Sequence, residues 1–521
     1  MSPAILPVII LIITVLIVAQ SFRSLRKRRS SGLPPGDMGW PIIGQSISFL
    51  KPHASYKLGS FMEHNISRFG KIFTTSLFGN LAVVSADAEL NHLILQNDTK
   101  LFGHGWPQHV VKMIGETATP VAQGDAHRFQ RSIFLNFFCS RRLESWILPD
   151  AEQIATILIS SWENNSVIRA KDESMKFTFN IMAKKTLSMA PGVPETEKLR
   201  TEFETFLAGL FSLPLRLPGS AYWKALRVGT EYEYSDSQFL LLPIIYSKDV
   251  SLSHETQAGS NLIIHTKTRK ASKTIISNTI KKKMEERVQK KGVSNAELED
   301  DLLGWLLDSS SYSWEQIIDL LRNLIASAYL TTSRVIPIVI YFLGRCPRAL
   351  EQLREEHLRS IRSKSKGGDG KLTWEDYKHL KFTQCVVINE TLRLGSGSIL
   401  PKKACIDIQY KGYVIPRGCT VMANISAVHL DPSLYEDPES FNPWRWLDAS
   451  GKAKLKHFMP FGGGMRQCPG AELAKLEIIV FIRHLILNYN WELISPDCPI
   501  TAPHVDFLKG LPVKVQALLL E

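Results

Sequence analysis

Cysteine is scarce in this chain and never closely spaced: seven in 521 residues, with no Cys-x-x-Cys. That excludes a disulfide scaffold and the common zinc modules, and it suits the reducing cytosol. Also missing is any Gly-x-Gly-x-x-Gly, so no dinucleotide phosphate loop and no flavin module is visible. Basic residues outnumber acidic ones, 62 Lys plus Arg against 50 Asp plus Glu, for a formal charge of +12. No aromatic-interleaved basic stripe accompanies that excess, so no nucleic-acid partner is expected. Solvated surface accounts for most of it, and docking of an acidic protein for the rest. There is no internal repeat. Beyond the N-terminus no run reads as long and apolar enough to cross a bilayer. What remains, 44% hydrophobic and 21% charged, is ordinary globular composition. At roughly 150 residues per domain the length allows about three domains or one large fold.

Charge is absent from Met1 to Phe22, where Ile, Val and Leu dominate. As a helix this segment spans about 33 Å at ~1.5 Å per residue, against a hydrocarbon core of about 30 Å. Arg23, Arg26, Lys27, Arg28 and Arg29 follow at once. A cleavable signal peptide carries its charges before the apolar run, so the pattern predicts a single-pass transmembrane anchor at 1–22. The positive-inside rule then leaves the body in the cytosol, on the face of the endoplasmic reticulum membrane. The sequons at Asn65, Asn97, Asn164 and Asn424 should stay unglycosylated there.

Residues 23–50 form a basic and proline-rich linker, with Pro34, Pro35 and Pro41 stiffening it. The rest, 51–521, reads as mainly α with a minor β region. Lys71 to Ala86 is strand-like around a Gly79-Asn80 turn. Helical periodicity marks Ala151–Trp162, Leu199–Leu213, Lys270–Lys291 and Trp314–Leu343, and strands return at Asp407–Ile415 and near the C-terminus. Val228–Arg269 fits neither period. Some 40 residues without regular structure are unusual inside a domain, so 228–269 is an atypical insertion or an error of sequence assembly.

The chemistry lies in Pro460-Phe461-Gly462-Gly463-Gly464-Met465-Arg466-Gln467-Cys468-Pro469-Gly470, followed by a helix from Ala471 to Tyr489. Glycines let backbone pass close to a large flat ligand. Cys468 precedes a helix N-terminus, where dipole and free N–H groups favour a thiolate and hence a metal ligand. Arg466 can pair with an anionic group of the same ligand, and Gly470 should permit close packing of the new helix. As a unit, Phe-x-x-Gly-x-Arg-x-Cys-x-Gly resembles the haem loop of the cytochrome P-450 family. The resemblance implies the cytochrome P-450 fold, a helical haem-thiolate domain holding haem b. It makes Cys468 the axial ligand of the haem iron. Arg466 would contact a haem propionate, Phe461 would shield the sulfur, and Gly464 and Gly470 would shape the loop.

Other segments match the same family. Glu390-Thr391-Leu392-Arg393 fits its Glu-x-x-Arg signature, with i,i+3 spacing suited to a charge pair. Arg445 in Phe441-Asn442-Pro443-Trp444-Arg445 fits the third member of that structural network. His127-Arg128-Phe129-Gln130-Arg131 lies where Trp-x-x-x-Arg is usual, so Arg131 and His127 would reach propionates. For His127, an ordinary surface histidine is the competing reading. Pro34-Pro35-Gly36, Phe382-Thr383-Gln384-Cys385-Val386, Phe441 to Trp446 and Glu472 to Glu477 are similar to the plant sterol-oxidising group that includes the steroid 22-hydroxylases of brassinosteroid synthesis. That resemblance implies a monooxygenase acting on a sterol or steroid, near C-22 of the side chain, in brassinosteroid or steroidal saponin formation. Electrons would come from a separate NADPH-cytochrome P-450 reductase, with Lys452, Lys454, Lys456 and Arg466 as candidates to meet it. An apolar pocket is expected from Phe102–Val111, Leu207–Leu213, Leu324–Ala328, Ser396–Leu400 and Val505–Leu508.

One stretch departs from the family. Ser327-Ala328-Tyr329-Leu330-Thr331-Thr332 keeps the catalytic threonine as Thr331, beside Thr332. Leu330 stands where the family has an acid that relays protons. Leucine relays none, whereas both hydroxyls can hold a water. Three outcomes stay open: hydroxylation through a substitute proton path, hydroperoxide rearrangement without a reductase, or a weak or non-catalytic haem-binding relative. The regular length of the cysteine loop speaks against the second. Met465 replaces a common proline without evident penalty.

Overall fold

The computed structural model describes residues 32–210 except 42, 272–294, and 301–518 except 310–311, 364–369, 396, 398, 448–454 and 502–503. The expected anchor at 1–22, the basic residues Arg23 to Arg29 after it, the insertion at 228–269, and Phe211, Leu213, Ser396, Lys452 and Lys454 lie outside the described residues.

Helices dominate, and a six-stranded mixed sheet sits at one side. Its order runs Gly36–Asp37, Ile72–Leu77, Asn80–Ser85, Thr420–Asn424, Ile399–Ala404, Phe102–His104. The Ile72–Leu77 and Asn80–Ser85 strands pair antiparallel. The two-residue turn between them is left-handed at both positions, Phe78 at φ 53° and Gly79 at φ 76°, the geometry that matches strand twist. A second hairpin pairs Ile408–Tyr410 with Tyr413–Ile415. Near the C-terminus Tyr489–Leu493 pairs with Pro512–Ala517.

The core is organised around one long helix, Trp314–Gly344. A capping box starts it: Gln316 N–H donates to Ser313 Oγ, and Ser313 N–H donates to the Gln316 side chain. It continues through Pro337. Contrary to the sequence reading, this run is long and apolar enough to span a bilayer, with a mean hydropathy of 1.4. Yet two thirds of its most apolar stretch, 67%, is buried inside the protein. The apolar face is matched by Ala170–Leu187, which presents Phe177, Phe179, Ile181 and Met182 to the same core, and by Ala471–Asn488, the helix after the cysteine loop.

Glu390 joins distant segments. Its carboxylate accepts from Arg393 Nη2 at 2.8 Å, Arg445 Nε at 3.1 Å, Trp446 Nε1 at 2.9 Å and the Asn442 N–H at 2.8 Å. Arg393 also donates to the carbonyls of His429, Pro438 and Ser440. Both Glu390 and Arg393 side chains are fully buried, so this is no solvated surface pair. Their network fastens the helical segment before Gly395 to the 429–446 connection leading to the cysteine loop. Removing one partner leaves buried charge uncompensated. Glu390→Ala should therefore lower folding stability by roughly 3–5 kcal/mol, read as a shifted urea midpoint or loss of soluble protein.

Candidate active site

The cysteine loop is a folded hairpin. Cys468 N–H donates to the Phe461 carbonyl at 2.9 Å, Gly462 N–H to Met459 O at 3.0 Å and Gln467 N–H to Gly464 O at 3.2 Å. Gly464 is required twice over. Its φ is +62°, and a Cβ there would lie 2.2 Å from the Leu95 carbonyl oxygen. Gly470 differs from expectation: a Cβ would meet nothing within 4 Å, so close helix packing is not its role here. Its backbone N–H is instead the hydrogen-bond partner of the Cys468 sulfur. Upstream, the buried His429 imidazole accepts the Met459 N–H at 3.1 Å, fixing the loop's entry. Phe461 is half-buried, with Lys475 Nζ 5.7 Å from its ring centre.

Cys468 is accessible yet surrounded by protein. Burial pushes its thiol up, and the Gly470 N–H and the Arg131 charge only partly oppose this. The Gly470 N–H at the helix N-terminus favours the thiolate, as the sequence suggested, while burial opposes it.

Arg131 and His127, one turn apart on the Gly124–Phe137 helix, lie on this side of the loop. Arg131 Nη1 donates to the Gln467 carbonyl. His127 is buried rather than a surface residue; desolvation first, and Arg466 next, push it down to about 4. Arg466 is anchored in protein. Nε pairs with Asp98 at 2.5 Å, and the other nitrogens donate to the carbonyls of Thr119, Pro120 and Ala122. Lys402 pairs with the same Asp98 at 2.6 Å. Burial opposes ionisation of Asp98, but these hydrogen bonds prevail and hold its carboxyl below the usual range. His104 is pushed down by burial and by Arg466 and Lys402.

Across the core, Thr331 and Thr332 part company. Between Ile317 and Leu343 the exposed positions are Ser327 and Thr331 alone, one turn apart, with Thr331 Oγ1 donating to Ser327 O at 2.9 Å. They cut a polar notch into an otherwise buried helix. Thr332 is buried, Leu330 packs half-buried against the core, and Tyr329 OH donates to Glu204 at 3.1 Å.

A cavity of about 500 Å³ is lined by His104, Gln108, Val111, Phe129, Tyr312 and Asn323 among others. It is more polar than the expected pocket and draws only on the first of the expected segments. Phe102, Ile325 and Val505 are core residues, and Leu508 is 81% exposed.

Asp98, Lys402 and Glu477 were not legible as site residues. Asp98 lies inside a plain sequon, and Lys402 on a strand. Only Glu477 carried a signal, a single acid inside the apolar run Leu476–Ile482.

The donor set fits a haem: one accessible thiol in a glycine hairpin, with Arg131, Arg466 and Lys402 outnumbering Asp98 on its flank, as an anionic ligand edge requires. The family described as "Cytochrome P450" matches residues 34–216 and 257–515. The chain belongs to the cytochrome P450 family. It is accordingly a haem-thiolate monooxygenase with a mainly helical fold. It is 45% identical over 504 residues to "Steroid (22S)-hydroxylase" of Brachypodium distachyon, covering 96% of this chain and 90% of that one. It is 42% identical to "Cholesterol 22-monohydroxylase CYP90B52" of Paris polyphylla, covering 98% and 99%. The solved structure "Retinoic acid bound cyanobacterial CYP120A1" superposes with a TM-score of 0.75 at 26% identity, covering 94% of this chain and all of that one. The family match is interrupted at 217–256, a span that overlaps the insertion read at 228–269.

Two outcomes follow from this P450 geometry. Gly464→Ala should displace the loop from Leu95 and lower haem retention, read as the ratio of Soret to protein absorbance. His429 is held neutral, pushed down to about 3 by burial and then by Arg393, from an ordinary 6.5. The unfolded chain binds a proton that the fold refuses, so stability is complete above about pH 6.5 and is lost as pH falls toward 3. At pH 5 that loss is about 2 kcal/mol. In His429→Gln the urea stability should fall less steeply between pH 7 and 5.

Proposed function

We propose that this P450 hydroxylates a sterol side chain near C-22, in plant steroid or steroidal saponin formation. The observation that carries the reading is that relatives at 42–45% identity, matched over at least 89% of both chains, bear 22-hydroxylation of steroid or cholesterol in their names. Electrons come from an NADPH-dependent reductase, and the anchor at 1–22 places the body on the cytosolic face of the endoplasmic reticulum membrane. Of the docking residues expected from sequence, Lys456 is exposed, whereas Arg466 is tied to Asp98 and is not free to meet a partner.

Haem b, bound through Cys468, supplies the oxidising chemistry that places one atom of O2 in a C–H bond; the other leaves as water with a pair of electrons and a pair of protons. Arg131, Lys402 and the Asp98-anchored Arg466 set the positive field that orients its anionic edge. Phe461 limits water at the sulfur. Thr331 and Ser327 offer accessible hydroxyls on the long helix, where a water can be held and a proton passed. Leu330 passes none.

Membranes supplemented with reductase, NADPH and cholesterol or campesterol should yield a 22-hydroxylated sterol. Cys468→Ser should lose both the product and the carbon monoxide difference band of the reduced protein. An intact band without product from a phytosterol panel would favour the non-catalytic relative. Conversion of a fatty hydroperoxide without NADPH would favour the rearranging one.

A further inference from the structure

The helix that follows Cys468 carries an acid where its neighbours are hydrocarbon. Glu477 is fully buried between Leu476 and Ile478, themselves at 0% and 1% exposure. Among the described residues neither carboxyl oxygen has a hydrogen-bond partner of ordinary geometry. The polar group facing it is the Thr332 hydroxyl on the long helix. Burial pushes this carboxyl well above the usual carboxylate range, and Thr332 is the one counteracting influence. An unpaired carboxylate in such surroundings is unfavourable, so the neutral acid is the resident form.

A buried acid without a charge partner contributes little to packing that a glutamine or leucine would not. Its location supplies a reason. Thr332 is adjacent in sequence to Thr331, the notch residue, and two positions from Leu330, where this chain lacks an acid. We propose that Glu477 is a positioning residue that stores a proton for the distal side and delivers it through Thr332, in place of the acid missing at position 330. The Glu477 O–H bond breaks as Thr332 Oγ1 takes that proton. The proton originally on Thr332 passes to a water held at Thr331. Each bonding electron pair stays on the oxygen it leaves. The carboxylate is neutralised again when a proton from solvent water returns along the same hydroxyls, and its burial makes that return strongly favoured. A neutral carboxylic acid held in apolar surroundings is a recurrent donor in enzymes.

This inference rests on the monooxygenase reading, and its test has one arm independent of turnover. In infrared spectra of the full-length holoprotein, a protonated-carboxyl C=O band should be present at neutral pH. It should vanish in Glu477→Gln and shift in Thr332→Val. Absence of the band, or its persistence in Glu477→Gln, overturns the proposal whatever the enzyme's activity. In the second arm, Glu477→Gln with normal haem content should raise hydrogen peroxide per hydroxylated sterol about tenfold, and adding Leu330→Glu to that variant should restore the ratio. An unchanged ratio in Glu477→Gln would make the residue merely structural and overturn the proposal. If the unmodified protein hydroxylates no sterol, the proposed function fails, while the infrared arm still decides whether Glu477 holds a proton against Thr332.

Discussion

The fixed position of the Cys468 sulfur is the constraint around which this site is arranged. Burial raises the Cys468 thiol, and the Gly470 N–H and Arg131 recover only part of the difference. A metal ion bound at the sulfur would take the thiolate form, so its binding would release a proton. The hairpin must then hold the side chain in place before the cation comes. It does so with backbone bonds, the Cys468–Phe461 and Gln467–Gly464 pairs, and with a glycine that lies too close to Leu95 to bear a side chain.

The scaffold behind that hairpin uses buried charge economically. Glu390 collects Arg393, Arg445, Trp446 and the Asn442 backbone, while Arg393 reaches the carbonyl of His429, whose ring in turn receives Met459 N–H. A continuous polar path thus runs from the Glu-x-x-Arg helix to the entry of the cysteine loop. Such networks are worth more intact than their pairwise parts. On the flank, Asp98 serves Arg466 and Lys402 together, so Arg466 is oriented by protein rather than left to search for its ligand.

Much of this was legible in the sequence wherever the signal is local. The glycine-cysteine spacing, the Glu390/Arg393 interval, the Gly79 turn and the helical periods of 314–343 each depend on neighbours within a few residues. The site's partners were hidden where the interaction is long-range. Asp98 meets Arg466 across 368 positions and Lys402 across 304, and no pattern in either segment announces the other. At Cys468 the helix N-terminus is readable from the sequence, whereas the desolvation that opposes it appears only in the packed structure. The open space beside Gly470 is likewise invisible in a motif. The apolarity of 314–344 was underrated because its polar residues, Arg322 and Asn323 among them, are buried with partners such as the Ile114 carbonyl rather than exposed.

The long central helix also bears on how the chain is made. To an insertion channel that weighs only apolar length, Trp314–Gly344 is a candidate span. Its partner Ala170–Leu187 leaves the ribosome earlier, so one wall can cover it at once. Ala471–Asn488 emerges more than a hundred residues later. Through that interval the notch-bearing helix has part of its greasy surface uncovered, and chaperones that bind such surfaces have a defined window in which to act.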